Sequence, residues 1–380
     1  MKISLVSGVC VLPDAISYSI VRKLDVLRQR FGVPDGADYR VFVGDTNVDD
    51  PRIEIRPNPT DVAMDPFFAS SDVVIYEFGL FCWLFNTIFV LPPKTKKLVI
   101  YHNITPEHLV SREEDKRGVR LGMSQKANLQ YADHIAADSD FNRLDLIHYG
   151  IPPEKISTLN LPVAEGFSPE GARLKSPRKT AELLYVGRFV ASKGVLDLVQ
   201  AVIATVQRGC TNVRLALVGD TEFSDPAYIQ LVRDKIAESG LQQHFRFVGA
   251  VTQEQLIAHY READIFIIPS YHEGYCLPVL EALCNGCLVI AYDAGNLPYI
   301  TNGLGRLVPT GDIPALSSAI LDLVDCVLSG PDSPQRLFRV DCGTLTALEY
   351  VERCKRYTSN FNFASFANQF SKMLGDLVSV

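Results

Sequence analysis

Short apolar runs rich in β-branched residues recur along the chain: KISLVSG, YRVFVGD, DVVIYEFG, KKLVIYHN, HIAADS and KISTLNL in the first half. They are largely continuous rather than alternating, the pattern of strands buried on both faces of a parallel sheet. Between them lie stretches of helical period, such as ISYSIVRKLDVLRQRFG, with apolar residues three and four apart. Strand and helix in alternation predict a doubly wound α/β domain. The pattern breaks at 163–180, where VAEGFSPEGARLKSPRKT reads as a linker. It then resumes with AELLYVGR, VRLALVGD, FRFVGA, DIFIIPS and LVIAYD, separated by helices such as GVLDLVQAVIATVQRG and QEQLIAHYREA. We expect a first domain over 1–165 and a second over 180–345. The tail reads as two helices, ALEYVERCKRYTSN and FNFASFANQFSKMLGDLV, the last at about 360–380 with Phe361, Phe363, Phe366 and Phe370 on one apolar face. Two such domains in tandem are expected to face each other across a cleft, where open α/β sheets bind ligands.

Composition narrows the partners. With 380 residues, 47% hydrophobic, the chain has material for more than one core. A net charge of −7 argues against nucleic acid, which selects a basic excess. Nine cysteines, odd in number and mostly in apolar runs, suggest reduced thiols and a cytoplasmic protein. Cys284 and Cys287 form a lone CxxC with no second ligand pair, so packing is the better reading. The opening MKISLVSGVCVLPD imitates a secretory signal, but its apolar run is short and lacks a cleavage site; a buried strand followed by a turn fits better.

The stretch HEGYCLPVLEALCNG follows the strand DIFIIPS. Pro278 suits a first helical position and Gly286 a C-terminal stop, so a short helix over Pro278–Asn285 is predicted. Glu273 then lies in the preceding loop and Glu281 in the first helical turn. A loop feeding a helix N-terminus offers backbone N–H groups to an anion. Two carboxylates at the same place would repel a phosphate but accept hydrogen bonds from vicinal hydroxyls. An anion and polyhydroxylated rings together describe a nucleotide sugar. The competing reading has Glu273 capping its own loop and Glu281 complementing the helix dipole. In LLYVGRFVASKGVLDLVQ, Arg188 and Lys193 follow a strand and can clamp a diphosphate leaving group. The bland alternative pairs Arg188 with a carboxylate and leaves Lys193 solvated.

Taken together, GRFVASKG, VGD, FVGAVTQEQLIAHYREADIFIIPSYHEGYCLPVLEAL and GNLPYI resemble the C-terminal domain of glycosyltransferase family 4. These are retaining enzymes of the GT-B fold, two Rossmann-like domains facing across a cleft. The resemblance covers most of the chain; it is specific over 180–310 and weaker before 95. It implies that Glu273 and Glu281 form the family's E-x7-E pattern, with Glu273 on the donor sugar's hydroxyls and Glu281 on the ribose. It places the phosphate clamp on Arg188 and Lys193. It gives the sugar and phosphate to Gly274 and the N–H groups of Tyr275, Cys276 and Leu277, and the base to the loop Gly249, Ala250, Val251. In the first half, LVIYHNITPE matches a stretch whose histidine lies at the donor sugar, here His102. The turn SGVCVLP takes the place of a Gly-rich loop, with Gly8 the match. The sequence departs from the family where Gly-Phe-Gly is frequent after the first glutamate, being Gly274-Tyr275-Cys276 here. VGDTEFSD also lacks the usual glycine after the aspartate. These departures bear on the sugar and the acceptor more than on the reaction.

The implied activity is transfer of a sugar from a UDP-, GDP- or ADP-sugar to a glycan, lipid-linked or small-molecule acceptor, in polysaccharide or glycoconjugate synthesis. Front-face attack, with no enzyme nucleophile, is the family's general description. No cofactor and no catalytic metal are expected. The D-x-D of Asp138–Asp140 is read as a strand end, with Asp140 capping the next helix. Alternatives are a GT-B epimerase-like enzyme and a non-catalytic nucleotide-sugar-binding protein. A dinucleotide dehydrogenase would need G-x-G-x-x-G after the first strand, and a phosphate-loop NTPase G-x-x-x-x-G-K-[ST]; neither occurs. The uncharged aromatic run Phe78–Pro93, followed by Lys94, Lys96 and Lys97, has the make-up of a segment that docks at the inner face of a membrane. A buried helix plus a surface loop is the preferred reading. The base, the sugar and the oligomeric state are not legible.

Overall fold

The computed structural model describes every residue except Pro13, 31–38, Ser176, Pro177, Phe223, 330–333 and Val380, and the side chains of Arg30 and Ser329. Pro13 of the first turn, the last two residues of ISYSIVRKLDVLRQRFG, two residues of the 163–180 linker and Phe223 of VGDTEFSD thus lie outside the described residues.

The chain divides into two compact units. The first holds Met1–Pro162 and Phe363–Val380. Its sheet has seven strands: β1 (Ile3–Cys10), β2 (Tyr39–Thr46), β3 (Ile53–Ile55), β4 (Val73–Phe78), β5 (Lys96–Tyr101), β6 (His134–Ala137) and β7 (Ile156–Thr158). They lie in the order β3-β2-β1-β4-β5-β6-β7, all parallel. The central strand β4, VVIYEF, is buried at every residue, as a strand covered on both faces must be. β3, from RIEIR, escapes sequence inspection because it is three residues long with charge at its centre.

The second unit, Val163–Asn362, carries a six-stranded parallel sheet. Its strands are β8 (Ala181–Val186), β9 (Val213–Val218), β10 (Phe245–Gly249), β11 (Ile265–Ile268), β12 (Leu288–Tyr292) and β13 (Gly305–Val308), in the order β10-β9-β8-β11-β12-β13. A small antiparallel hairpin, β14 (Leu337–Val340) and β15 (Gly343–Thr346), follows.

Each sheet reverses its strand order at one place: between β1 and β4 in the first unit, and between β8 and β11 in the second. The loops leaving the C-terminal ends of such a pair part to opposite faces, and that divergence opens a crevice for ligands.

The last helix, Phe363–Ser379, buries Phe366, Phe370 and Leu374 within the first unit. Each such side chain contributes about 1.5–3 kcal/mol by leaving water. Phe366 and Phe370 stack at 6.1 Å, and the Arg22 guanidinium sits 6.0 Å from the Phe363 ring centre. Phe361, expected on the same face, precedes the helix and packs on Tyr357 at 5.0 Å in the second unit.

Three other expectations are corrected. Gly8 does not sit in a turn: β1 runs on to Cys10, because Val9 and Cys10 still pair with Asp45 and Thr46. The run Phe78–Pro93 is not a buried helix: Phe78 ends β4, and Trp83–Val90 is a 3₁₀-helix with only one face inside. Leu84, Phe85 and Ile88 are buried, whereas Trp83, Phe89 and Val90 are 63%, 52% and 63% exposed. Asp140 does not cap its helix. Ser139 does, its Oγ accepting from the Asn142 N–H at 3.1 Å, and Asp140 accepts from Thr158 instead. Among the described residues no helix is long and apolar enough to cross a membrane.

Candidate functional site

The switch point of the second unit gathers the loops that carry Arg188, Lys193 and Glu273. Arg188 lies just past β8 and is exposed, and among the described residues no carboxylate comes within ion-pair distance of it. Lys193 ends a short 3₁₀ turn, Ala191–Lys193, before the Val195–Gln207 helix. Its Nζ lies 2.7 Å from Glu273 Oε1, so the pairing is the reverse of the bland alternative: the lysine is held and the arginine is open. The two loops are also tied by their backbones, the Tyr271 N–H donating to the Ser192 carbonyl at 2.8 Å.

Gly194, next to Lys193, has φ 65°, and a Cβ there would fall 2.0 Å from the Pro269 carbonyl oxygen. Only glycine lets the β8 loop approach β11 this closely. We expect Gly194→Ala to cost at least ~1–2 kcal/mol for the left-handed backbone alone, with the clash added. Thermal unfolding would show it, and an unchanged melting temperature would remove this account of the loop.

Glu273 is buried, with 8% of its surface exposed. Its carbonyl accepts from the Asn296 N–H at 2.9 Å, and the Asn296 amide donates to the Tyr275 carbonyl at 2.7 Å. Asn296 lies in the quoted GNLPYI but was given no role; its two hydrogen bonds hold the Glu273–Tyr275 loop to the segment after β12. The helix begins at Leu277, one residue earlier than predicted, and ends at Cys284. Cys276 caps it at φ 80°, ψ 67°, left-handed backbone that a side chain rarely adopts. This is the position at which the frequent family pattern has glycine. Strain of about 1–3 kcal/mol at such a residue persists only where the surroundings hold it. Its buried thiol is pushed well above its usual pKa by desolvation, then by Glu273.

Glu281 is the fifth helical residue, so it opens the second turn and not the first. It is buried, and its Oε2 accepts from the Tyr260 hydroxyl at 2.9 Å. Burial lifts its pKa to about 7, opposed by that hydrogen bond. The helical period of QEQLIAHYREA does not distinguish Tyr260 from its neighbours. Tyr271 and Tyr292 both donate to Asp197 Oδ2, at 2.6 and 2.8 Å, and steady the same edge of the sheet. The loop Gly249, Ala250, Val251 leaves β10, with Gly249 at φ 83°.

In the first unit, Gly8 lies near the C-terminal end of β1, where an added Cβ would meet Cys82 Sγ at an ordinary 3.6 Å. His102 follows β5 at the same edge of the sheet, with 5% of its side chain exposed. Its Nε2 is 2.7 Å from Glu77 Oε2 and its Nδ1 is 3.0 Å from Asp138 Oδ2. Glu77 Oε1 pairs with Lys23 Nζ at 2.9 Å, both side chains being wholly buried. Asn142 donates to Asp138 Oδ1 and accepts from Asn103. A sugar hydroxyl could reach a ring nitrogen of His102 only by displacing a carboxylate. Burial by itself would lower the pKa of His102; the Asp138 and Glu77 hydrogen bonds and charges outweigh it and raise it to about 9. Burial would raise Glu77; Lys23 and His102 hold it below its usual value. Neither Glu77 nor Lys23 was singled out from the sequence. The signal was there in each case, a lone charge in an apolar strand (VVIYEF) and a lysine on the apolar face of a helix.

The description "Glycosyl transferases group 1" matches residues 180–326. The O-antigen chain mannosyltransferase B of Escherichia coli is 26% identical over 247 residues, 61% of this chain and 62% of that protein. The D-inositol 3-phosphate glycosyltransferase of Corynebacterium glutamicum is 28% identical over 262 residues, 65% of this chain and 58% of that one. The matched part of the chain thus spans about six tenths of the length of these relatives. Anabaena HepE, solved in complex with UDP, superposes with a TM-score of 0.69 at 16% identity, covering 99% of this chain and 100% of that one. The chain has the GT-B fold, and over residues 180–326 it is similar in sequence to the group 1 glycosyl transferases.

Proposed function

We propose that the protein is a retaining, metal-independent glycosyltransferase that moves a sugar from a nucleoside-diphosphate sugar to a glycan, lipid-linked or small-molecule acceptor. The observation that carries this reading is the Lys193–Glu273 pair beside the open Arg188 at the switch point of the second sheet. A diphosphate arriving there exchanges Glu273 for a stronger partner of Lys193 and finds Arg188 unengaged. Glu273, released, accepts hydrogen bonds from the sugar's hydroxyls. Glu281, deeper in the helix, takes the ribose, and the N–H groups of Gly274, Tyr275, Cys276 and Leu277 meet the charged middle of the donor. Gly249, Ala250 and Val251 lie along the base. The sequence resemblance assigns Gly8 and His102 of the first unit to the donor sugar. The two cations stabilise the departing diphosphate, the task a metal performs in other transferases. The acceptor's proton passes to the leaving phosphate, so no side-chain base is required.

The test is release of UDP, GDP or ADP from their sugars, with and without candidate acceptors. Tight nucleotide binding with no release under any acceptor would overturn the enzyme reading and favour a binding protein. NMR of the product's anomeric proton decides retention, and activity surviving EDTA decides the metal.

Glu281 adds a pH dependence. Its folded pKa of about 7 lies above the ordinary carboxyl value, so the hydroxyl-accepting carboxylate forms only as pH rises through about 7. We expect kcat/KM to fall on the acid side with an apparent pKa near 7, a limb that Glu281→Gln lacks. The same limb in the variant would assign it elsewhere.

The exposed Trp83, Phe89 and Val90, with Phe81 packed edge-on to Trp83 at 4.9 Å and Lys94 close in sequence, support a second element of the reading, peripheral contact with a bilayer. Anionic liposomes should sediment the protein, and replacing Trp83, Lys94, Lys96 and Lys97 by serine should abolish that. Equal sedimentation of the two proteins removes the idea.

A further inference from the structure

We propose that Glu77 and Asp138 are positioning residues which hold His102 as an imidazolium donating from both ring nitrogens, so that the ring serves the proposed transfer as a fixed cation and not as a proton acceptor. This deepens the reading above and rests on it for its functional part. The charge state of the ring stands on geometry alone.

A neutral imidazole has one N–H and one lone pair. Here both nitrogens face carboxylate oxygens, at 2.7 and 3.0 Å. A neutral ring would set its lone pair against one of these oxygens at hydrogen-bond distance with no proton between them. A proton on the second nitrogen turns that repulsion into a charge-assisted hydrogen bond.

The proton could in principle sit on a carboxyl oxygen. The far oxygens argue against it. Asp138 Oδ1 already accepts the Asn142 amide, and Glu77 Oε1 faces the Lys23 ammonium at 2.9 Å. Each carboxyl therefore has, besides the ring, a second favourable partner on its far oxygen, an amide donor for Asp138 and a cation for Glu77, the setting of the ionised form. A free carboxyl also gives up its proton well before an imidazolium does.

Charge counting agrees. Lys23 from the Ala15–Arg30 helix, its pKa lowered by burial but drawn back up by Glu77 and Asp138, brings one positive charge, and Glu77 from β4 and Asp138 after β6 bring two negative ones. Asn142, from the Asp140–Tyr149 helix, is neutral. Cys10 on β1 acts on the cluster only as a neutral thiol, since burial pushes it up to about 11. The sum is −1 with a neutral ring and zero with an imidazolium. A buried set that closes at zero avoids leaving a carboxylate unpaired away from water. The direction of the His102 shift, upward to about 9 against its own desolvation, is the same answer. A charge anchored on both sides cannot collect the acceptor's proton, which fits a reaction in which the leaving phosphate does so.

The experiment is 15N NMR of the full chain labelled at histidine, between pH 6 and 8, with His102 assigned by its loss in His102→Gln. The expected result is two protonated ring nitrogens at every pH in this window. In Glu77→Gln the same ring should titrate within it, at a midpoint at least one pH unit lower. Asp138→Asn serves as the second variant should Glu77→Gln not fold. The pH profile of kcat/KM should gain a histidine limb in either variant, which a purely structural role would not produce. A wild-type His102 that titrates near 6.5, or that is neutral at pH 8, overturns the proposal. An imidazolium in a protein that transfers no sugar from any donor would sink the function and leave the charge state standing. Transfer by a protein with a neutral ring would do the reverse.

Discussion

Glu273→Gln is expected to lower kcat/KM for sugar transfer by about 10²–10³-fold, the range seen when one group aimed at the transition state is removed. The amide keeps the shape and loses the charge. It no longer accepts strongly from the sugar hydroxyls, and it no longer holds Lys193 at 2.7 Å in the ligand-free site. Lys193→Ala should cost a similar factor, through the leaving diphosphate. The two changes should not multiply in the double variant, because the side chains touch and each loses part of its purpose when the other is gone. Steady-state kinetics of the three variants checks this, with thermal unfolding to show that each is folded. Fully multiplicative losses would mean that the pair acts as two independent groups. A Glu273→Gln enzyme within threefold of wild type would remove Glu273 from the reaction.

The second large effect is on stability. His102→Ala leaves Glu77 and Asp138 facing each other's charge with only Lys23 to balance them, inside a unit where all three are buried. Breaking a buried ion pair by removing one partner costs about 3–5 kcal/mol. For a domain of this size that corresponds to a melting temperature lower by on the order of 10 °C. The loss also has a definite pH dependence. The folded pKa of His102, about 9, lies above its ordinary 6.5. Its contribution is therefore fully present below pH 6.5 and fades as pH rises through about 9. The gap between wild type and His102→Ala should shrink over that window in urea unfolding. A gap that stays constant to pH 10 would mean that the ring stabilises by packing alone. Asp138→Asn combined with His102→Ala should be milder than His102→Ala, since it withdraws the carboxylate left without a cation while Glu77 keeps Lys23.

The α/β character of the chain was legible because it depends on local period. The run DVVIYEFG contains β4 and LVIAYD contains β12. β13, from GRLV, escaped because it is four residues long with an arginine in it. At the candidate site the loop position of Glu273 and the short helix were legible from Pro278 and Gly286, within one residue at each end. The E-x7-E spacing, however, carries no information on what the carboxylates touch. Glu281 engages Tyr260, and Glu273 engages Lys193, 80 positions away. His102 could be placed after an apolar strand, but its neighbours could not.

What the sequence by itself determined is the strands of the two parallel sheets other than β3 and β13, the loops on which Arg188, Lys193 and Glu273 fall, and the short helix that carries Glu281. These follow from apolar period, proline, glycine and capping, all of which act within a few residues. Only the tertiary structure decided the charges: which cation is held and which is open, which carboxylate is lifted toward neutral pH, and why His102 carries two protons. Those outcomes depend on burial and on partners 21 to 80 residues apart, Tyr260 with Glu281 at one extreme and Lys193 with Glu273 at the other. Electrostatic energy depends on distance and desolvation in space, and neither is a local property of the chain.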